Sequence, residues 1–175
     1  EGKRTSRGLC LTRQHPGFKY YNLSPGRYVM RIDDETGKPL RGHVVIVDNG
    51  TILTNLHVVT GAKRMSVTFF DGTESEVEVI RAYPENDLAV IRAKKLPDDL
   101  QAATLGSTAH LQQGDEVVAV GFPFGIGSST SAGVVSGLDR EFRSREGKRI
   151  LTGLIQFDAA ANPGNSGGPL VTMSG

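Results

Sequence analysis

The sequence predicts an all-β protein made of two β units of similar size. Three observations lead there. Short runs rich in β-branched residues recur through most of the chain, separated by Gly, Pro, Asn and Asp. Residues 74–79 alternate charged and apolar side chains, as a half-exposed strand does. The strand pattern is interrupted once near the middle, over residues 94–114, by Pro97, Asp98, Asp99 and scattered apolar positions.

At 175 residues the chain is long enough for one large domain or two small cores. Its 20 basic and 19 acidic residues nearly cancel, which argues against a nucleic-acid surface. The basic clusters Lys3-Arg4-Arg7 and Arg140 to Arg149 read as solvated loops rather than a binding patch. No apolar stretch is long enough to span a membrane. Cys10 is the only cysteine, so packing rather than an intrachain disulfide must hold the fold. The polar, basic segment 1–10 has no apolar stretch of the kind a secretory leader carries.

Residues 1–26 read as an irregular N-terminal arm punctuated by Gly and Pro. Its aromatics Phe18, Tyr20 and Tyr21 either pack the arm onto its own domain or anchor a subunit contact. Residues 27–95 form the first unit. Strands are expected at 28–32, 43–47, 51–54, 65–70, 74–82 and 88–93, with a turn at 33–39 and a hairpin turn at Asp48-Asn49-Gly50. Residues 96–114 form the linker. The second unit, 115–175, has strands at 116–122, 131–138, 149–157 and 169–172, with a charged loop at 139–148.

The chemistry concentrates in Asn162-Pro163-Gly164-Asn165-Ser166-Gly167-Gly168. A glycine-dense turn brings bare main-chain N–H groups close to a ligand. A serine among converging N–H donors is suited to acyl transfer, which needs a nucleophile and a pocket for the oxyanion. Serine alone is too weak at neutral pH, so a base and a group to orient it are required. His57 falls just past a strand end, where a short helical turn can begin. His15, His43 and His110 read as structural histidines. Asp87 opens a strand and on its own would be a turn or cap residue. Asp71 and Asp115 sit beside glycine in turns, whereas Asp158, eight residues before Ser166, is a genuine rival.

The order His57, Asp87, Ser166 is one of three chain orders in which the hydrolytic triad occurs. Thr54-Asn55-Leu56-His57-Val58-Val59, Asn86-Asp87-Leu88-Ala89-Val90 and the run from Asp158 to Gly168 resemble the signature segments of the HtrA (high-temperature-requirement) group of trypsin-like serine proteases. Gly121-Phe122-Pro123-Phe124-Gly125, followed by Ser131 to Ser136, resembles the motif that opens that family's second barrel. The resemblance runs from about Gly42 to Leu170.

The resemblance implies a chymotrypsin/trypsin-like double β-barrel and a serine endopeptidase of protein quality control. Ser166 would be the nucleophile, His57 the general base and Asp87 its orienting partner. The N–H groups of Gly164 and Ser166 would form the oxyanion hole. Ala160, six residues before the serine, would lie at the floor of the specificity pocket, favouring cleavage after small or medium apolar residues. The implied partner is a polypeptide substrate; no cofactor or metal is called for. A trimer and a periplasmic or other extracytoplasmic location follow from the same likeness.

Two departures stand out. Asn165 replaces the aspartate that pairs with a newly cut N-terminus in digestive relatives, so activation by N-terminal cleavage is not expected. Only nine residues follow Ser166, so the second barrel is expected to be incomplete. That early stop keeps a second reading in play: a peptide-binding or chaperone-like module that adds a peptide to an open strand edge without hydrolysis, or an inactive fragment.

Overall fold

The computed structural model describes residues 11–13, 29–33, 39–43, 45–69, 71–98, 100, 102–103, 105–125, 127–143 and 150–172. Two curled, antiparallel half-barrel sheets make up the fold. The first contains β2 (Val29–Asp33), β3 (Pro39–His43), β4 (Val45–Ile46), β5 (Thr51–Asn55), β6 (Arg64–Thr68), β7 (Glu74–Tyr83) and β8 (Leu88–Ala93), in the order β3-β2-β6-β7-β8-β5-β4. The second contains β1 (Leu11–Arg13), β9 (Glu116–Gly121), β10 (Ser129–Arg143), β11 (Ile150–Phe157) and β12 (Leu170–Thr172), in the order β1-β11-β10-β9-β12.

Period-two patterning explains which face each strand buries. In β5, Ile52 and Thr54 point inward; in β8, Ala89, Ile91 and Ala93 do; in β7, Ser75 and Val77. These meet Ile46, Val67 and Phe69 in one core. Each fully buried Ile or Val there contributes about 1.5–3 kcal/mol relative to an exposed one. A second core gathers Val117, Val135, Ile155, Phe157 and Leu170 between the strands of the other sheet. The segment joining the sheets is tied down as well: the Ala103 N–H donates to the Ile46 carbonyl at 2.7 Å, and Leu96 and Leu100 pack on the first core.

Four local expectations differ from the structure. Leu11–Arg13, inside the arm read as irregular, pairs antiparallel with β11. Pro39–His43 is a strand paired with β2, where the turn was expected to extend through Pro39. Its sequence, Pro-Leu-Arg-Gly-His, carries little β propensity, so partner hydrogen bonding rather than composition makes it a strand. β10 continues to Arg143, into the segment read as a charged loop, because both faces of that hairpin arm are exposed and polar residues suit it. At Asp48-Asn49-Gly50 only Gly50 takes a positive φ, of 86°, and the loop is closed by the Val47 N–H on the Thr51 carbonyl. It is therefore a longer turn than the two-residue type that Asn-Gly suggests.

The sheets meet where the active-site candidates lie. The 3₁₀ turn Pro84–Asn86 packs against β11, and β3 touches β9. His57 and Asp87 come from the first sheet, Ser166 from the second.

Candidate active site

His57 sits in a one-turn helix, α1 (Leu56–Val59), that follows β5 directly. Neighbouring β8 begins one residue after Asp87, and Asn55 is paired in register with Leu88. This pairing sets the two candidates side by side. Asp87 ends the 3₁₀ turn in a left-handed conformation, φ 50° and ψ 41°, which aspartate tolerates better than most residues. The bend turns its carboxylate toward α1.

The contact is close and two-pronged. The His57 Nδ1 lies 2.6 Å from Asp87 Oδ2, and the His57 backbone N–H donates to Asp87 Oδ1 at 2.9 Å. A carboxylate accepts only, so Nδ1 carries the proton in this pair. The hydrogen bond to Asp87 raises the His57 pKa above its ordinary 6.5; burial opposes the rise and the charge of Asp87 adds to it. The imidazole remains more than half exposed, whereas the Asp87 side chain is 20% exposed. Thus the ring keeps an open side.

The serine turn is built by glycines. Gly164 has φ +103°, and a Cβ there would strike the Phe122 carbonyl oxygen. Gly167 has φ 82°. The Asn165 N–H closes onto the Asn162 carbonyl and the Gly168 N–H onto the Asn165 carbonyl, both at 3.0 Å. Two further bonds strap the turn to the segment after β9: Phe124 N–H to the Pro163 carbonyl at 2.8 Å, and Phe122 N–H to the Gly164 carbonyl at 3.2 Å. In a trans peptide C=O and N–H point opposite ways, so the Gly164 N–H faces away from Phe124.

One side chain joins the two halves. Asn55 Oδ1 accepts the Gly167 N–H at 2.7 Å, while Asn55 Nδ2 donates to the Asp87 backbone carbonyl at 3.2 Å and to Asp87 Oδ2 at 3.3 Å. The residue after Ser166 is thereby tied to the partner of His57. Sequence reasoning missed Asn55; its position two before the histidine was the available signal.

The remaining candidates have plain positions. Asp158 Oδ1 accepts the Val134 N–H at 2.7 Å, which occupies the rival carboxylate in fixing β10. Asp71 accepts from Thr73, and Asp115 accepts the Gln112 N–H, as turn residues do. His110 is an exposed residue in the 3₁₀ turn Thr108–His110. His15, Cys10, Phe18, Tyr20 and Tyr21 lie outside the described residues. Ala160 is exposed, and its N–H is held by Ser131 Oγ at 2.7 Å. Asn165 packs against Gly121, where a Cβ would collide with its side chain, and its Oδ1 is buried without a hydrogen-bond partner among the described residues.

Two curled β sheets, with an aspartate-bound histidine on one and a glycine-flanked serine on the other, define the trypsin-like peptidase class. Residues 42–175 match the trypsin-like peptidase domain family, and the chain belongs to it. Among curated relatives it is 42% identical over 126 residues to Protease Do-like 1, chloroplastic, of Arabidopsis thaliana, covering 72% of this chain and 29% of that protein. It is 36% identical over 170 residues to a probable periplasmic serine endoprotease, DegP-like, of Brucella suis, covering 90% and 32%. A solved structure of the HtrA-type protease AlgW with tripeptide superposes with TM-score 0.73 at 36% identity, over 85% of this chain and 47% of that one. The chain thus spans about a third of the length of these curated relatives. Its relatives place it with the HtrA/DegP-type members of the family.

Proposed function

We propose that this chain is the catalytic part of a serine endopeptidase that cleaves unfolded or damaged polypeptides through His57, Asp87 and Ser166. The observation that carries the reading is the 2.6 Å contact between His57 Nδ1 and Asp87 Oδ2. With Nδ1 committed to the carboxylate, Nε2 is the nitrogen left to serve Ser166.

In this mechanism Ser166 Oγ attacks the scissile carbonyl carbon as its proton passes to His57 Nε2. The carbonyl oxygen becomes an oxyanion and is received by the N–H groups of Gly164 and Ser166. The imidazolium, stabilised by Asp87, then protonates the leaving amine, and the C–N bond breaks. Water enters next and gives a proton to His57 while its oxygen attacks the acyl-enzyme. Collapse of that second intermediate releases the carboxylic acid and returns the proton to Ser166.

Ala160 supplies no charge at the base of the specificity pocket, so a desolvated Lys or Arg would have no partner there. Cleavage after Ala, Val or Leu follows. The substrate class is supported by HtrA-type neighbours solved with tripeptide and decapeptide. Relatives named periplasmic or chloroplastic support an extracytoplasmic setting, and the proposal includes a trimer, which sedimentation analysis tests.

The direct test is digestion of a denatured protein by the wild type and by Ser166→Ala, with new termini read by mass spectrometry. The proposal expects cleavage after small apolar residues by the wild type alone. A folded wild type that binds peptides without cutting them would establish the binding-module reading instead.

A further inference from the structure

We propose that Asn55 is a positioning residue for this active site, one amide that holds the His57–Asp87 pair and the serine turn in register across the seam between the sheets. The inference rests on the protease reading and adds to it a residue outside the triad and the oxyanion hole.

The partners determine how the amide is oriented. Gly167 N–H can only donate, so the oxygen must face it; the Asp87 carbonyl and carboxylate can only accept, so the nitrogen must face them. Each end of the side chain is engaged, Nδ2 with Asp87 at the start of β8 and Oδ1 with Gly167 in the turn before β12. Asn55 is the last residue of β5, directly before the helix that carries His57. The Leu56 N–H reaches the same Asp87 carbonyl at 2.9 Å, so strand end, aspartate and amide form one closed unit.

The Nδ2 donor and the His57 ring share one acceptor, Asp87 Oδ2. Asn55 therefore touches the oxygen that stabilises the imidazolium, while its other end sets the peptide next to the nucleophile. It handles no proton of the reaction and acts only through Asp87 and Gly167. A hydrophobic side chain of similar size would fill the space and make none of the three bonds. An aspartate would keep the acceptor for Gly167 but turn a second carboxylate toward Asp87. Among the described residues, the titratable group bonded to the amide is Asp87, and His57 shares that carboxylate.

Two variants separate these arms, and NMR reads each arm without turnover. In Asn55→Asp the added negative charge favours the imidazolium, so the His57 ring titrates at higher pH than in wild type, while the Gly167 amide proton stays at its hydrogen-bonded shift. In Asn55→Leu the Gly167 amide resonance moves upfield. In both, kcat falls on the order of 10–10²-fold while KM changes by less than about threefold, because the loss concerns alignment of reacting groups. An unmoved His57 titration in Asn55→Asp, or an unmoved Gly167 amide in a folded Asn55→Leu, overturns the proposal. If Asn55→Leu does not fold, Asn55→Asp decides alone. Failure of the wild type to hydrolyse peptides would defeat the protease reading, whereas the two NMR couplings would still stand or fall separately.

Discussion

His57 Nδ1 lies 2.6 Å from Asp87 Oδ2, although 30 residues separate the two in sequence. The contact raises the histidine's pKa above 6.5, chiefly through the hydrogen bond. Only neutral imidazole can accept the serine proton, so kcat/KM should rise with pH along a limb whose midpoint lies above the ordinary value of about 6.5. The same shift bears on stability with the opposite slope. The contribution is complete below the unfolded pKa and disappears as pH climbs through the folded one. Asp87→Asn should lower the limb's midpoint and reduce kcat on the order of 10⁴-fold. A pH–rate profile of both proteins checks this; an unshifted midpoint in Asp87→Asn contradicts it.

Gly164→Ala should cripple catalysis and weaken the fold together. The new Cβ would collide with the Phe122 carbonyl oxygen, and alanine disfavours φ +103°. The turn must rotate, which turns away the Gly164 N–H assigned to the oxyanion. Turnover should drop about 10²–10³-fold, with a stability loss of at least about 1 kcal/mol by urea unfolding. Wild-type turnover in this variant would remove Gly164 from the oxyanion hole.

Asn165→Asp should destabilise the protein at neutral pH. The side-chain oxygen is buried, tucked against Gly121, and has no hydrogen-bond partner among the described residues. A carboxylate there would be an uncompensated buried charge, costing about 3 kcal/mol. Burial disfavours the ionised form, so the loss should shrink as pH falls and the carboxyl protonates. Urea midpoints at neutral and acidic pH test the sign. A variant as stable as wild type at pH 7 would mean that a cation reaches this pocket.

Ala160→Asp should move cleavage preference from small apolar residues toward Lys and Arg. A carboxylate at the position assigned to the pocket floor would supply the missing partner for a basic side chain. Its backbone N–H would keep the Ser131 hydroxyl as acceptor, so the local chain path should persist. Profiling of cleavage sites in a mixed peptide pool reads the outcome, and an unchanged preference would move the pocket floor elsewhere.

What could be read from the sequence followed from how local the signal is. β5 and β8 announce themselves because inward Ile52 and Ile91 alternate with less buried positions. β3 does not, since Pro39 to His43 becomes a strand only through pairing with β2. His57, Asp87 and Ser166 stand in recognisable segments. Asn55 stood in the same segment as His57, yet its role depends on Gly167, which lies 112 positions away. Asp158 is a rival by sequence alone, and only the folded chain shows its carboxylate accepting the Val134 N–H. Hydrogen bonds between distant segments leave no periodic trace in a single chain.

The most direct measurement is the rate at which a fluorophosphonate labels the protein, with the adduct located by peptide mapping. A single adduct on Ser166 is expected, lost in Ser166→Ala and slowed by orders of magnitude in His57→Ala, with all three proteins folded. Labelling of wild type no faster than of His57→Ala, or an adduct on another serine, would contradict it.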